Sequence, residues 1–166
     1  MTELALQIRP ESPGDADAIE RLHERAFGPG RFSRSAYLLR ERAGDLPELC
    51  FSALVGTLLV GSVRVAPALA GDVPALVLGP LAVEPAFEKR GIGAALMTTA
   101  LDRARAAGHG LVLLVGDEPY YARFGFVRIP AGQLAMPAPV DPGRFLAAEL
   151  RPGALAAATG RVRPQS

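Results

Sequence analysis

Apolar residues change their spacing several times along the chain, and each change marks an element. Residues 4–9 (Leu-Ala-Leu-Gln-Ile-Arg) form a short β-leaning run that Pro10 ends. Ser12-Pro13-Gly14-Asp15 carries a helix start, with Ser12 as N-cap, Pro13 at the first helical position and Asp15 near the amide end. Ile19, Leu22 and Ala26 share one helical face, which predicts a helix over 14–27. Gly28-Pro29-Gly30 breaks it, and a second helix is expected over 33–43, with Tyr37, Leu38 and Leu39 apolar. Residues 49–55 and 58–66 are apolar β runs joined by a hairpin turn at Gly56-Thr57. Residues 75–83 read as a further strand, interrupted by Gly79-Pro80, the mark of an edge or a bulge.

Over 91–107 the apolar positions Ile92, Leu96, Ala100, Leu101 and Ala104 recur at helical spacing, and Gly108 terminates the run. Residues 111–115 are wholly apolar, as a buried parallel strand would be. A short helix is expected over 119–124, followed by Gly125-Phe126. Residues 130–143 are rich in proline and glycine and read as loop. A last strand is expected over 145–150, then a tail with one short helix at 154–158. The order predicts a mixed α/β fold.

Composition narrows the class. The 166 residues suit one domain, 49% of them are apolar, and the net charge of +1 comes without a run of like charges. That argues against a dedicated nucleic-acid or membrane-surface protein. A single cysteine, Cys50, allows neither an internal disulfide nor a cysteine metal cluster, and fits a reducing, cytoplasmic compartment. Met1-Thr2-Glu3-Leu4 has no basic, then apolar, leader pattern, and no apolar run approaches the length of a membrane helix, so a soluble protein is expected. Lys89 is the only lysine.

That lysine lies in the strongest local signal, Glu84-Pro85-Ala86-Phe87-Glu88-Lys89-Arg90-Gly91-Ile92-Gly93-Ala94, between a strand and a helix. Such a turn delivers backbone N–H groups to a helix N-terminus, where unpaired donors and the positive dipole end bind phosphate. Gly91 and Gly93 permit close backbone approach. The glycines alone are equally compatible with a tight turn. A nucleotide P-loop is excluded because Ala94 stands where Lys would follow, and Leu96 stands where a dinucleotide fingerprint has its third glycine.

Leu78-Gly79-Pro80-Leu81-Ala82-Val83, then Pro85 and Arg90-Gly91-Ile92-Gly93 to Leu96, resembles the acyl-CoA-binding motif of the GNAT N-acetyltransferase superfamily. Asp117-Glu118-Pro119-Tyr120-Tyr121-Ala122-Arg123-Phe124-Gly125-Phe126 resembles the family's second motif, and the tail from Leu150 is similar to a bacterial subgroup of predicted N-acetyltransferases. The resemblance implies one domain over 1–166 with a mixed sheet of about six to seven strands, splayed between strands four and five and flanked by about four helices. It implies acetyl-CoA as co-substrate and a small-molecule or peptide amine as acceptor, and it allows a homodimer. The backbone of Leu81, Ala82 and Val83 would hold the acyl carbonyl and the pantetheine arm. Glu88, Lys89, Arg90, Gly91, Ile92, Gly93 and Ala94 would hold the diphosphate through main-chain amides. Tyr121 would reprotonate the leaving thiolate, and Glu84 is a candidate base. Two departures stand out: Glu88 replaces the usual Gln or Arg, and only Asp117 stands where an Asn often holds pantetheine.

Tyr120, Phe124 and Phe126 read as core aromatics, Cys50 as a small core residue, and His23 and His109 as non-catalytic. Phe27 and residues 28–35, with Arg31, Phe32 and Arg34, would line the acceptor mouth. A non-catalytic acyl-CoA-binding module is the alternative reading, favoured by Glu88 and the uncertain base.

Overall fold

The computed structural model describes residues 5–27 and 44–165. The expected helix over 33–43, the break at Gly28-Pro29-Gly30 and the acceptor-mouth residues Arg31, Phe32 and Arg34 lie outside them.

The first strand, β1 (Leu6–Pro10), begins two residues later than expected and includes Pro10. Proline is tolerated because β1 is an edge strand among the described residues, paired there only with β2 (Phe51–Val55). A 3-10 turn (Pro13–Asp15) leads into α1 (Ala16–Phe27), which buries Ile19, Leu22 and His23, while Ala26 is exposed. Gly56, at φ 62°, turns the chain from β2 into β3 (Leu58–Ala70). β3 runs four residues past its expected end, because Ala68, Leu69 and Ala70 pair with both β4 (Val73–Val83) and β9 (Gly160–Pro164). The proline in β4 marks a bulge and not an edge. β4 lies mid-sheet, and its register against β3 slips between Val63 and Val65, opposite Gly79-Pro80.

Then follow α2 (Ile92–Ala106), β5 (Leu111–Val115), the one-turn α3 (Glu118–Tyr121), β6 (Val127–Arg128), β7 (Leu134–Ala135) and β8 (Phe145–Glu149). Seven strands run in the order β1-β2-β3-β4-β5-β8-β6, and β9 and β7 add a side branch at β3. β5 is parallel to β4 but antiparallel to β8. Three α-helices lie among the described residues.

The strand over 145–150 is therefore not the last. β9 escapes sequence reading because Gly160-Arg161-Val162-Arg163-Pro164 offers one apolar side chain, Val162, and that side chain is buried. The expected helix at 154–158 is a run of turns. Gln133 holds those turns by donating from Nε2 to the carbonyls of Leu155 (2.7 Å) and Ala158 (2.8 Å).

The sheet is covered on both faces. α2 packs Leu96, Met97 and Ala100 onto Phe51, Val63, Leu76 and Leu114 on one face. Each fully buried Leu or Met contributes about 1.5–3 kcal/mol of transfer free energy. The other face is covered by α1, through Ile19 and Leu22 against Leu59 and Ala82, and by the turns carrying Leu155 and Ala158. No helix among the described residues is long and apolar enough to cross a membrane.

One buried charge locks α1 to the sheet. Arg9 donates from Nη1 and Nη2 to Asp15 Oδ2 (2.7 Å) and Oδ1 (2.9 Å), and Ser52 Oγ and the Ser12 amide each donate to Oδ2 at 2.9 Å. The Arg9 guanidinium, helped by the Ser12 and Ser52 donors, outweighs burial and holds the Asp15 carboxyl well below the usual carboxylate range. A folded-state pKa below the unfolded one adds stability that is complete above the unfolded value near 4 and is lost as pH falls through the folded one. The gap in urea midpoint between wild type and Asp15→Asn should therefore narrow between about pH 6 and about pH 3. A gap independent of pH would remove the carboxylate charge as its source.

Candidate active site

The site begins where two strands part. β4 pairs with β5 only at Leu76–Val112 and Val77–Leu113, yet β4 continues to Val83 and pairs with β3 on both sides of the bulge. Pro80, at the bulge, has no amide hydrogen to offer a strand on the β5 side. Leu81, Ala82 and Val83 thus stand on a side of β4 that faces away from β3 and has no strand beside it among the described residues. Ala82 turns its side chain to α1, and Leu81 and Val83 turn theirs to the α2 side.

Just past β4 the Glu84 amide donates to the Val60 carbonyl (2.8 Å), and a 3-10 turn (Pro85–Phe87) carries the chain to α2. Lys89, at φ 63°, and Gly91, at φ 82°, are left-handed; Gly91 caps α2. A left-handed non-glycine is uncommon, and such turns gather successive amides into anion-binding hollows. The first bond into the helix is Ala95 N–H to Gly91 O at 3.0 Å. The amides of Gly91, Ile92, Gly93 and Ala94 meet no acceptor among the described residues. Glu88, Lys89 and Arg90 are exposed around them, and the Arg90 guanidinium sits 5.0 Å from the Phe87 ring centre.

The aromatic pair comes from α3. Its single turn is closed by the amides of Tyr120 and Tyr121, which both donate to Asp117 O at 3.1 Å. Gly125, at φ 95°, sends the chain back into β6. Tyr121 packs over Gly116 at the end of β5 and lies edge-on to Phe126 (6.0 Å between centres), half-buried against the main core. Phe126 is core as expected, and Phe124 packs on the core's margin. Tyr120 departs from expectation. It is half-buried outside the core clusters, and its hydroxyl reaches α2, where a Cβ on Gly93 would stand 2.9 Å from Tyr120 Oη. Val83 and Leu81 flank the same point. The structure therefore gathers Leu81, Val83, Gly93 and Tyr120 at one place. A hydroxyl on an aromatic otherwise suited to packing was the only sequence signal for Tyr120.

Glu84 has a partner that no local pattern announces. Arg25 of α1 donates to Glu84 Oε2 from Nε (2.9 Å) and Nη2 (2.6 Å). Both bonds fall on one oxygen, and Oε1 accepts none among the described residues. The remaining titratable candidates sit elsewhere. Cys50 is buried, takes an N–H bond from Val65 (3.3 Å), and is pushed up to about 12 by burial, so its thiol is neither exposed nor nucleophilic. His23 is buried beside Phe27, and His109 lies in the turn before β5.

A strand splayed from its parallel neighbour, beside a helix whose leading amides await an acceptor, offers an open backbone edge to an extended ligand and a row of donors to an anion. Known proteins give the class its name. The profile of the Acetyltransferase (GNAT) family matches residues 16–126. The Escherichia coli (strain K12) protein described as the uncharacterized N-acetyltransferase YjhQ is 34% identical over 132 residues, covering 75% of this chain and 71% of that protein. The E. coli GNAT family N-acetyltransferase YhbS, solved in complex with CoA, superposes with a TM-score of 0.83 at 29% identity, covering 99% of this chain and 92% of that one. A Brucella melitensis GNAT family acetyltransferase, solved with acetyl-CoA, gives 0.72 at 27% identity, covering 98% and 97%. The chain belongs to the acetyltransferase (GNAT) family, and acetyl transfer is its class of reaction.

Proposed function

We propose that the chain, acting as one domain over 1–166, moves an acetyl group from acetyl-CoA to a primary amine on a small molecule or peptide in the cytoplasm. The observation that carries this reading is the open edge at Leu81–Val83 continuing into the acceptor-free amides of Gly91–Ala94. The fit is chemical: an edge of backbone donors and acceptors suits pantetheine amides, and an amide row at a helix N-terminus suits a diphosphate. Lys89 and Arg90 add positive charge there. Glu88 is exposed, so water can screen its carboxylate.

Bound acetyl-CoA supplies an activated acetyl thioester. A backbone amide of the β4 edge steadies the negative charge that gathers on the acetyl oxygen as the C–N bond forms. Tyr121 holds at Oη the proton that the sulfur takes as the C–S bond breaks; a phenol, ordinarily near 10, matches a thiol near 8.5. Glu84 Oε1 receives the amine's proton, directly or through one water, while Arg25 fixes the carboxylate through Oε2.

Calorimetry with acetyl-CoA, followed by a thiol-release screen over amines, tests the reading. Micromolar binding with release of thiol on at least one amine class is the expected result. Binding without turnover on any amine would replace the enzyme with an acyl-CoA-binding regulatory module, and absence of binding would remove both.

A further inference from the structure

Tyr120 is held more firmly than a surface aromatic needs to be. Its ring meets Tyr121 edge-on at 4.9 Å between centres and Phe124 at 5.6 Å. The Arg123 guanidinium lies 4.3 Å from the ring centre, and Arg123 Nε donates to the Tyr120 carbonyl (3.2 Å). Three neighbours therefore aim the phenol before anything binds, so little rotamer freedom remains to be lost on binding. The hydroxyl meets no hydrogen-bond partner among the described residues, although it stands against Gly93, in the first turn of α2.

Two sets of donors thus converge without an acceptor: the phenolic O–H and the amides of Gly91–Ala94. A group that satisfies both is an anion with several oxygens. Gly93 belongs to the same device. Its side-chain position is the place the hydroxyl uses, since a Cβ there would lie 2.9 Å from Oη, closer than such contacts allow. Packing alone does not explain the arrangement, because a phenylalanine would fill the ring's place and leave Gly93 unnecessary.

We propose that Tyr120 is a cofactor-binding residue, its hydroxyl donating to the diphosphate held by the α2 amides, with Gly93 kept without a side chain to admit that hydroxyl. This rests on the acetyl-CoA reading above. It gives the adjacent tyrosines separate roles, since Tyr120 holds the carrier and Tyr121 supplies the proton.

The decisive comparison is between wild type, Tyr120→Phe, Gly93→Ala and the double variant. CoA is titrated by calorimetry, and pantetheine, which carries no phosphate, by NMR. Tyr120→Phe should raise the Kd for CoA about tenfold, as loss of a hydrogen bond to a charged group does. It should leave the pantetheine Kd and the thermal midpoint unchanged. Gly93→Ala should weaken CoA comparably in wild type and add little in the Tyr120→Phe background, where the hydroxyl is already gone. An unchanged CoA Kd in Tyr120→Phe overturns the assignment. So does an equal loss for CoA and pantetheine, which would mark the ring as a wall of the groove, and so does full additivity of the two substitutions. Failure of the wild type itself to bind CoA is a different result and falls on the acetyl-CoA reading.

Discussion

Tyr121→Phe should lower kcat for amine acetylation by about a hundredfold while the Kd for acetyl-CoA changes by less than about twofold. The substitution removes one oxygen and keeps the ring. The ring is packed on two sides: it covers Gly116 so closely that a Cβ there would overlap it, and it lies edge-on to Phe126. The α3 turn, held by the Asp117 carbonyl, and the carrier's groove should therefore survive. A fall in kcat with binding intact marks an interaction made in the transition state and not in the ground state. The loss should also be smallest for acyl donors whose thiol leaves most readily, since these need the proton least. Wild-type kcat at every pH would remove Tyr121 from the chemistry.

Gly61→Val should cost about 2 kcal/mol and lower the thermal midpoint by about 4–8 °C, and it should weaken CoA binding as well. Gly61 lies on β3 under the first turns of α2. A Cβ there would meet Leu96 Cδ1 at 2.9 Å, Ile92 Cγ2 at 3.1 Å and Ala53 Cβ at 3.3 Å. The end of Leu96 can swing aside. Ile92 cannot move without lifting the turn that presents the amides of Gly91–Ala94. Stability and affinity should therefore fall together. Leu96→Ala in the Gly61→Val background should recover part of the midpoint by making room. An unchanged midpoint and CoA affinity in Gly61→Val would show that α2 does not rest on this contact.

The most legible part of the chain was the stretch from Gly79 to Gly125. There each element is announced by chemistry of its own: proline at the parting of the strands, glycines at both ends of α2, and an aromatic pair ahead of Gly125-Phe126. Such signals act over a few residues, so the sequence alone exposes them. What stayed hidden depends on distant partners. β9 is a strand because Val162 fills a place beside Ala70, far earlier in the chain. The 154–158 segment is held in turns by Gln133, which reads as an ordinary loop residue. Glu84 acquires its place from Arg25, in a helix on the opposite face of the sheet from α2. The resemblance singles out Tyr121 and leaves Tyr120 among the core aromatics. Only when α3 is set down does the Tyr120 hydroxyl turn toward Gly93, while the Tyr121 ring turns toward Gly116.

Lys89 leaves a practical opening. It is exposed, held at φ 63°, and carries the only side-chain primary amine in 166 residues. An amine-directed dye therefore has a single side chain to find, besides any α-amino group, and finds it on the rim of the proposed cradle. A fluorophore placed there would report the arrival of the carrier in real time, in the native sequence, without a cysteine having to be introduced or Cys50 removed.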